Sequence, residues 1–118
     1  MAWFGRHAPD SLFVSAVTQA EMMLGARVLP AGKRRNTLEA ELTGMFQQDF
    51  AGRVLPFDAA AAAVYADVVS MRRMAGRPIS QFDAQIAAIA ICHRMPLATR
   101  NVSDFEGCEL NLVNPWVP

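Results

Sequence analysis

Three acids stand out for their spacing. Glu21, Asp83 and Asp104 each lie three residues after a good helix-capping residue, namely Thr18, Ser80 and Asn101. A cap followed three residues later by an acid is the capping-box pattern, and an acid in a first turn also favours the helix dipole, so each acid is accounted for singly as a helix stabiliser. Their shared position suggests more. Glu21 and Asp104 each follow a short apolar run closely, just past the carboxyl ends of expected strands, where open parallel sheets place their ligands. Asp83 opens a helix whose small residues Ala84, Ala87, Ala88 and Ala90 allow close packing on a sheet. Carboxylates converging there repel one another unless a cation sits between them. Oxygen-only ligands without a neighbouring His or Cys suit Mg²⁺ or Mn²⁺ and not zinc. Such a cation polarises a phosphoryl oxygen and lowers the pKa of a bound water, the equipment of phosphodiester hydrolysis. Nucleophilic catalysis by the protein finds no support. The histidines are His7 and His93, and the glycines form no phosphate loop.

The elements that must position these acids are short strands alternating with helices. Leu12–Ala16 reads as a buried strand, followed by a helix opened by Thr18 and stopped near Leu29 by Pro30 and Gly32. Lys33 to Phe50 reads as a second helix with Leu38, Leu42, Met45 and Phe46 on its apolar side. Arg53–Phe57 is a second strand. Asp58 caps a helix to about Ala75 with Val64, Val68 and Met71 as its core stripe, ended by Gly76. Ser80 caps the next, with Phe82, Ile86, Ile89 and His93 at helical spacing. Leu97–Thr99 and Leu110–Val113 are the third and fourth strands. Met1 to His7 reads as the tail of a helix, and Asn114-Pro115-Trp116 as a closing segment packed on the body. The pattern predicts one α/β domain over residues 1–118, with a short parallel sheet covered by helices on both faces.

Composition bounds the rest. The 118 residues are 53% hydrophobic, enough for a real core, and 11 basic residues balance 11 acidic ones. Net charge therefore does not predict nucleic-acid binding; a local patch must supply it. Lys33-Arg34-Arg35 and Arg72-Arg73 with Arg77 are the two basic clusters, read either as solvated helix faces or as contacts to an RNA backbone. Cys92 and Cys108 lack metal-type spacing, and free thiols in a reducing cytosol are expected. The longest apolar run, Ala59 to Ala66, is too short to span a bilayer, so no membrane is expected as a partner.

The segments Thr18-Gln19-Ala20-Glu21-Met22-Met23-Leu24-Gly25, Asp83-Ala84-Gln85-Ile86-Ala87-Ala88-Ile89-Ala90 and Ala98-Thr99-Arg100-Asn101-Val102-Ser103-Asp104-Phe105 resemble PIN domains, specifically the VapC and FitB-like branch. Arg53-Val54-Leu55-Pro56-Phe57-Asp58 and Asn114-Pro115-Trp116 also look like that branch. The order and spacing of these segments are more specific than any one of them. The resemblance implies a three-layer PIN-like fold and a cytoplasmic Mg²⁺- or Mn²⁺-dependent endoribonuclease. It further implies a toxin neutralised by a cognate antitoxin, with homodimerisation. By position, Glu21, Asp83 and Asp104 fall on the family's acidic metal-site residues. Asn101 falls on a polar position of the same motif, suited to orient Asp104 or a water, while Thr99 and Arg100 become candidates for substrate contact.

One departure bears on completeness. Domains of this type begin with a central strand ending in Asp-Thr-Asn, whose Asp is a ligand, and nothing before Leu12 resembles it. A start placed at an internal Met, a truncated chain, and an edge supplied by a partner chain are three readings of that difference. Loss of the strand is expected to expose apolar sheet edges and to leave either an incomplete enzyme or an antitoxin-binding remnant.

Overall fold

In the computed structural model the described residues are 12–94, 96–99 and 112–113. Chain order gives β1 (Phe13–Ser15), α1 (Ala16–Arg27), α2 (Lys33–Gly44), β2 (Val54–Leu55), α3 (Ala59–Met74), α4 (Gln81–His93), β3 (Leu97–Ala98) and β4 (Leu112–Val113). The α/β expectation holds. The expected helix to Phe50 instead loosens after Gly44 into a π-helical turn, Met45–Asp49. This turn keeps Met45 and Phe46 buried and delivers Phe50 into the core, its ring 6.2 Å from that of Phe46. Arg53 anchors the turn to the sheet: its Nε donates to the Leu12 carbonyl at 3.0 Å and its Nη2 donates to the Asp49 carbonyl.

The strands form one parallel sheet of order β2-β1-β3-β4. Their alternation sorts side chains onto two faces. Val14, Val54 and Ala98 face α1, α2 and the π-turn, joining Met22, Ala26, Leu42 and Phe50. Phe13, Leu55 and Leu97 face the other way, joining Ile86 and Ile89 of α4 and Ala61, Val64 and Val68 of α3. The result is three layers, with β1, β2 and β3 each covered on both sides. Fully burying side chains such as Ile86, Ile89 and Leu97 contributes roughly 1.5–3 kcal/mol each.

Several expectations shift. Strand β1 ends at Ser15, and Ser15, not Thr18, caps α1 by accepting a bond from the Thr18 amide at 2.9 Å. Met71 and Phe82, assigned to core stripes, are 69% and 51% exposed. On α3 the burial lies instead on Ala61, Val64 and Val68, while on α4 the alanines let the backbone itself approach the sheet. Strand β1 pairs directly with β3, Phe13 opposite Leu97 and Val14 opposite Ala98. Tyr65 packs edge-on to Phe57 at 5.8 Å. The readings of Met1–His7, Cys108 and Trp116 lie outside the described residues, as do all but Leu112–Val113 of the final strand and the closing segment.

Candidate functional site

Because β1, β2 and β3 are parallel, their carboxyl ends lie along one edge of the sheet. The buried polar side chains among the described residues are Ser15, Thr18 and Thr99. Ser15 and Thr99 sit at the carboxyl ends of β1 and β3, and Thr18 is one turn into α1. The Ser15 hydroxyl donates to Thr18 Oγ1 at 3.0 Å while accepting from the Thr18 amide, so the entry into α1 is pinned twice over in a dry environment. Residue-by-residue reading treated Thr18 as the cap and passed over Ser15. The signal was present in the Ser-x-x-Thr spacing.

Moving the cap to Ser15 changes the standing of Glu21. With α1 beginning at Ala16, Glu21 is the sixth helical residue, and α1 carries no acid in its first turn. The capping-box account of this acid therefore fails. Glu21 is half-buried, and its carboxyl pKa is raised above the ordinary value, first by burial and second by the neighbouring negative charge of Asp83. Two acids 62 positions apart in the sequence thus share one electrostatic neighbourhood, where α1 packs on α4.

Asp83 is different. Ser80 caps α4, accepting from the Asp83 amide at 3.1 Å, and Asp83 is the acid of the first turn. A helix-stabilising role holds here beside any other. Its side chain remains partly exposed, open to solvent and to whatever approaches the edge.

Of the remaining site expectations, Thr99 is 1% exposed, enclosed at the end of β3. Arg100, Asn101 and Asp104 lie outside the described residues. Among the described residues no group of three or more His, Cys, Asp or Glu side chains is assembled for a metal ion. What the structure brings together is the pair Glu21 and Asp83. The pair fits a hard divalent cation by chemistry: both donors are carboxylate oxygens, and Glu21 is held above the ordinary carboxyl range first by burial and second by the negative charge of Asp83. His93 sits at the far end of α4, and Cys92 is a free thiol partly buried on the same helix.

Residues 2–106 match the PIN domain family. The VapC ribonuclease Y4jK of Sinorhizobium fredii is 41% identical over 118 residues, spanning all of this chain and 84% of that protein. Toxin FitB of Neisseria gonorrhoeae is 37% identical over 116 residues, 98% of this chain and 84% of the relative. The crystal structure of FitAcB from the same organism aligns with a TM-score of 0.77 at 38% identity, covering 92% of this chain and 78% of that one. VapBC-5 of Mycobacterium tuberculosis, described as a member of a family of toxin-antitoxin systems, shares the fold with a TM-score of 0.71 at 24% identity, covering 99% of this chain and 91% of that one.

Proposed function

The chain belongs to the PIN-domain family, and we propose that it is the toxin of a toxin–antitoxin pair, an endoribonuclease that hydrolyses RNA phosphodiester bonds in the cytoplasm. The observation that carries this reading is that the charge of Asp83 on α4 is felt by half-buried Glu21 on α1, helices that pack on one another beside the sheet's carboxyl edge. Relatives named as a VapC ribonuclease and as toxin FitB support it.

Glu21 and Asp83 would hold Mg²⁺ or Mn²⁺, with Asp104 as a further carboxylate and Asn101 orienting it. When bound, the ion supplies positive charge that polarises a phosphoryl oxygen and lowers the pKa of water at the site. The chain's own contribution is preorganisation. Ser15 and Thr18 fix the entry of α1 and hence the approach of Glu21 to α4. Ser80 fixes the first turn of α4 and hence Asp83. Partial burial keeps Glu21 in a medium where its charge acts more strongly than in water.

The antitoxin partner is proposed from relatives solved as FitAB and VapBC assemblies. An apolar groove between α1 and α2, lined by Met23, Leu24, Ala26 and Leu42 with Arg27 and Glu39 at its rim, offers it a seat. Exposed Leu24 and Val28 extend that apolar surface. No helix among the described residues is long and apolar enough to cross a membrane. A homodimer completes the proposal.

The test is cleavage of structured RNA by the purified chain, with and without Mg²⁺ or Mn²⁺. Cation-dependent cutting that disappears in Asp83→Asn is the expected result. Cutting that is unchanged in Asp83→Asn sinks the reading. Failure of the parent chain to cut while it still captures the antitoxin replaces the enzyme with a binding module.

A further inference from the structure

The connection from α3 to α4 carries features that neither the core nor the acid pair uses. Arg73 lies in the last turn of α3 and Arg77 follows Gly76, whose φ is +68°. The turn is closed by reciprocal bonds: the Arg77 amide donates to the Arg72 carbonyl at 2.9 Å, and Arg72 Nε donates to the Arg77 carbonyl at 2.6 Å. These bonds use backbone atoms of Arg77 and leave its guanidinium outside. Both Arg73 and Arg77 are exposed, and neither forms an ion pair within the described residues. In the other basic cluster Arg35 lies 3.4 Å from Glu39, while Lys33 and Arg34 are exposed on α2, far along the chain from Asp83.

Three extended residues and the first turn of α4 separate Arg77 from Asp83, a reach of at most roughly 15 Å between their Cα atoms. Phe82, 51% exposed at the second position of α4, immediately precedes Asp83 in the sequence. Exposed guanidinium groups with no ion pair among the described residues, a few residues along the chain from an exposed aromatic ring, supply the parts that single-stranded nucleic acid requires: forks for phosphates and a face for a base.

We propose that Arg73, Arg77 and Phe82 form a single-stranded RNA track leading to Asp83, the arginines holding backbone phosphates and the phenylalanine stacking a base beside the acid pair. The proposal rests on the ribonuclease reading and names the residues that would hold its substrate. The arginines are sequence-independent contacts. The aromatic face tolerates any base, so the track positions RNA without choosing its sequence.

The experiment measures binding of fluorescein-labelled poly-uridine RNA to the purified chain in EDTA, so that no strand is cut, over a series of salt concentrations. The expected result for Arg73→Gln/Arg77→Gln is a Kd raised roughly tenfold and a salt slope reduced by about 1.4, the share of two phosphates on a single strand. For Phe82→Ala the Kd rises about fivefold or more with the salt slope unchanged. Lys33→Gln/Arg34→Gln removes the same charge from α2 and leaves both quantities near the parent's. Circular dichroism melting confirms that the variants fold, which the backbone closure of the turn favours. If the parent binds RNA and the Arg73/Arg77 variant binds it equally, the track is overturned while the ribonuclease reading stands. Equal losses in the α2 variant would show diffuse charge and overturn the track as well. Loss of antitoxin capture or of self-association with RNA binding intact would assign the patch to a protein partner and overturn it. No RNA binding by the parent overturns the track, while cation-dependent cleavage decides the ribonuclease reading separately.

Discussion

The first turns of α1 and α4 are built from similar parts for different ends. Both are capped by a serine that accepts from an amide three residues on, at 2.9 Å in α1 and 3.1 Å in α4. At α1 the cap is fully buried, doubled by the Ser15–Thr18 hydroxyl bond, and no acid occupies the first turn. At α4 the cap is exposed and Asp83 sits where the helix dipole favours it. Glu21 and Asp83 therefore look alike in the sequence but not in energy. Asp83 has a local reason to be an acid. Glu21 has none, and it carries a raised pKa from burial and from Asp83. A carboxylate kept at an energetic cost with no local benefit is the stronger indication of a site.

The largest effect that sharpens this comparison is on activity. Glu21→Gln and Asp83→Asn should each lower the rate of RNA cleavage by roughly a hundredfold or more. The double variant should be little worse than the weaker single, because the two acids serve one ion. Multiplying losses in single-turnover assays would instead separate them into independent roles.

Next come the caps. Ser15→Ala removes a buried acceptor and strands the Thr18 amide, and should cost about 2 kcal/mol in urea unfolding. Ser80→Ala, at the exposed end, should cost about 1 kcal/mol or less. Equal losses would erase the distinction drawn between the two helix starts.

The smallest effect is also the most specific. Without divalent cations, Glu21→Gln should raise the melting temperature by a few degrees at neutral pH. Asp83→Asn should be near neutral, since relief of repulsion offsets the lost dipole interaction. The sign with pH follows from the raised pKa. Glu21 binds its proton more tightly folded than unfolded, so its penalty is full above the folded pKa. That penalty fades as pH falls toward the unfolded value. The advantage of Glu21→Gln should shrink over the same interval, measured by thermal melts across mildly acidic pH.

Much of this architecture was legible in the sequence because period and punctuation agree. Asp58 and Ser80 were readable as caps and Gly76 as a stop, and short apolar runs marked the strands. Three things were not. The cap of α1 was misplaced because Ser15 and Thr18 are both good caps, and only burial chooses between them. The π-turn was missed because its apolar residues continue the helical stripe while the hydrogen bonds shift beneath it. The exposure of Met71 and Phe82 was missed because spacing says which residues share a face and not whether a neighbour covers it. For the site, Glu21 and Asp83 were grouped from their position in the expected sheet and from the PIN resemblance, while the burial that sets Glu21 apart from Asp83 was visible only in the fold. The third acid, Asp104, lies outside the described residues.

The most direct test of the central claim, that Glu21 and Asp83 share one divalent cation, is a Mn²⁺ titration followed by thermal unfolding. The parent's melting temperature should rise with Mn²⁺, and either Glu21→Gln or Asp83→Asn alone should abolish most of that rise. A rise of the parent's size in either variant would contradict the shared site.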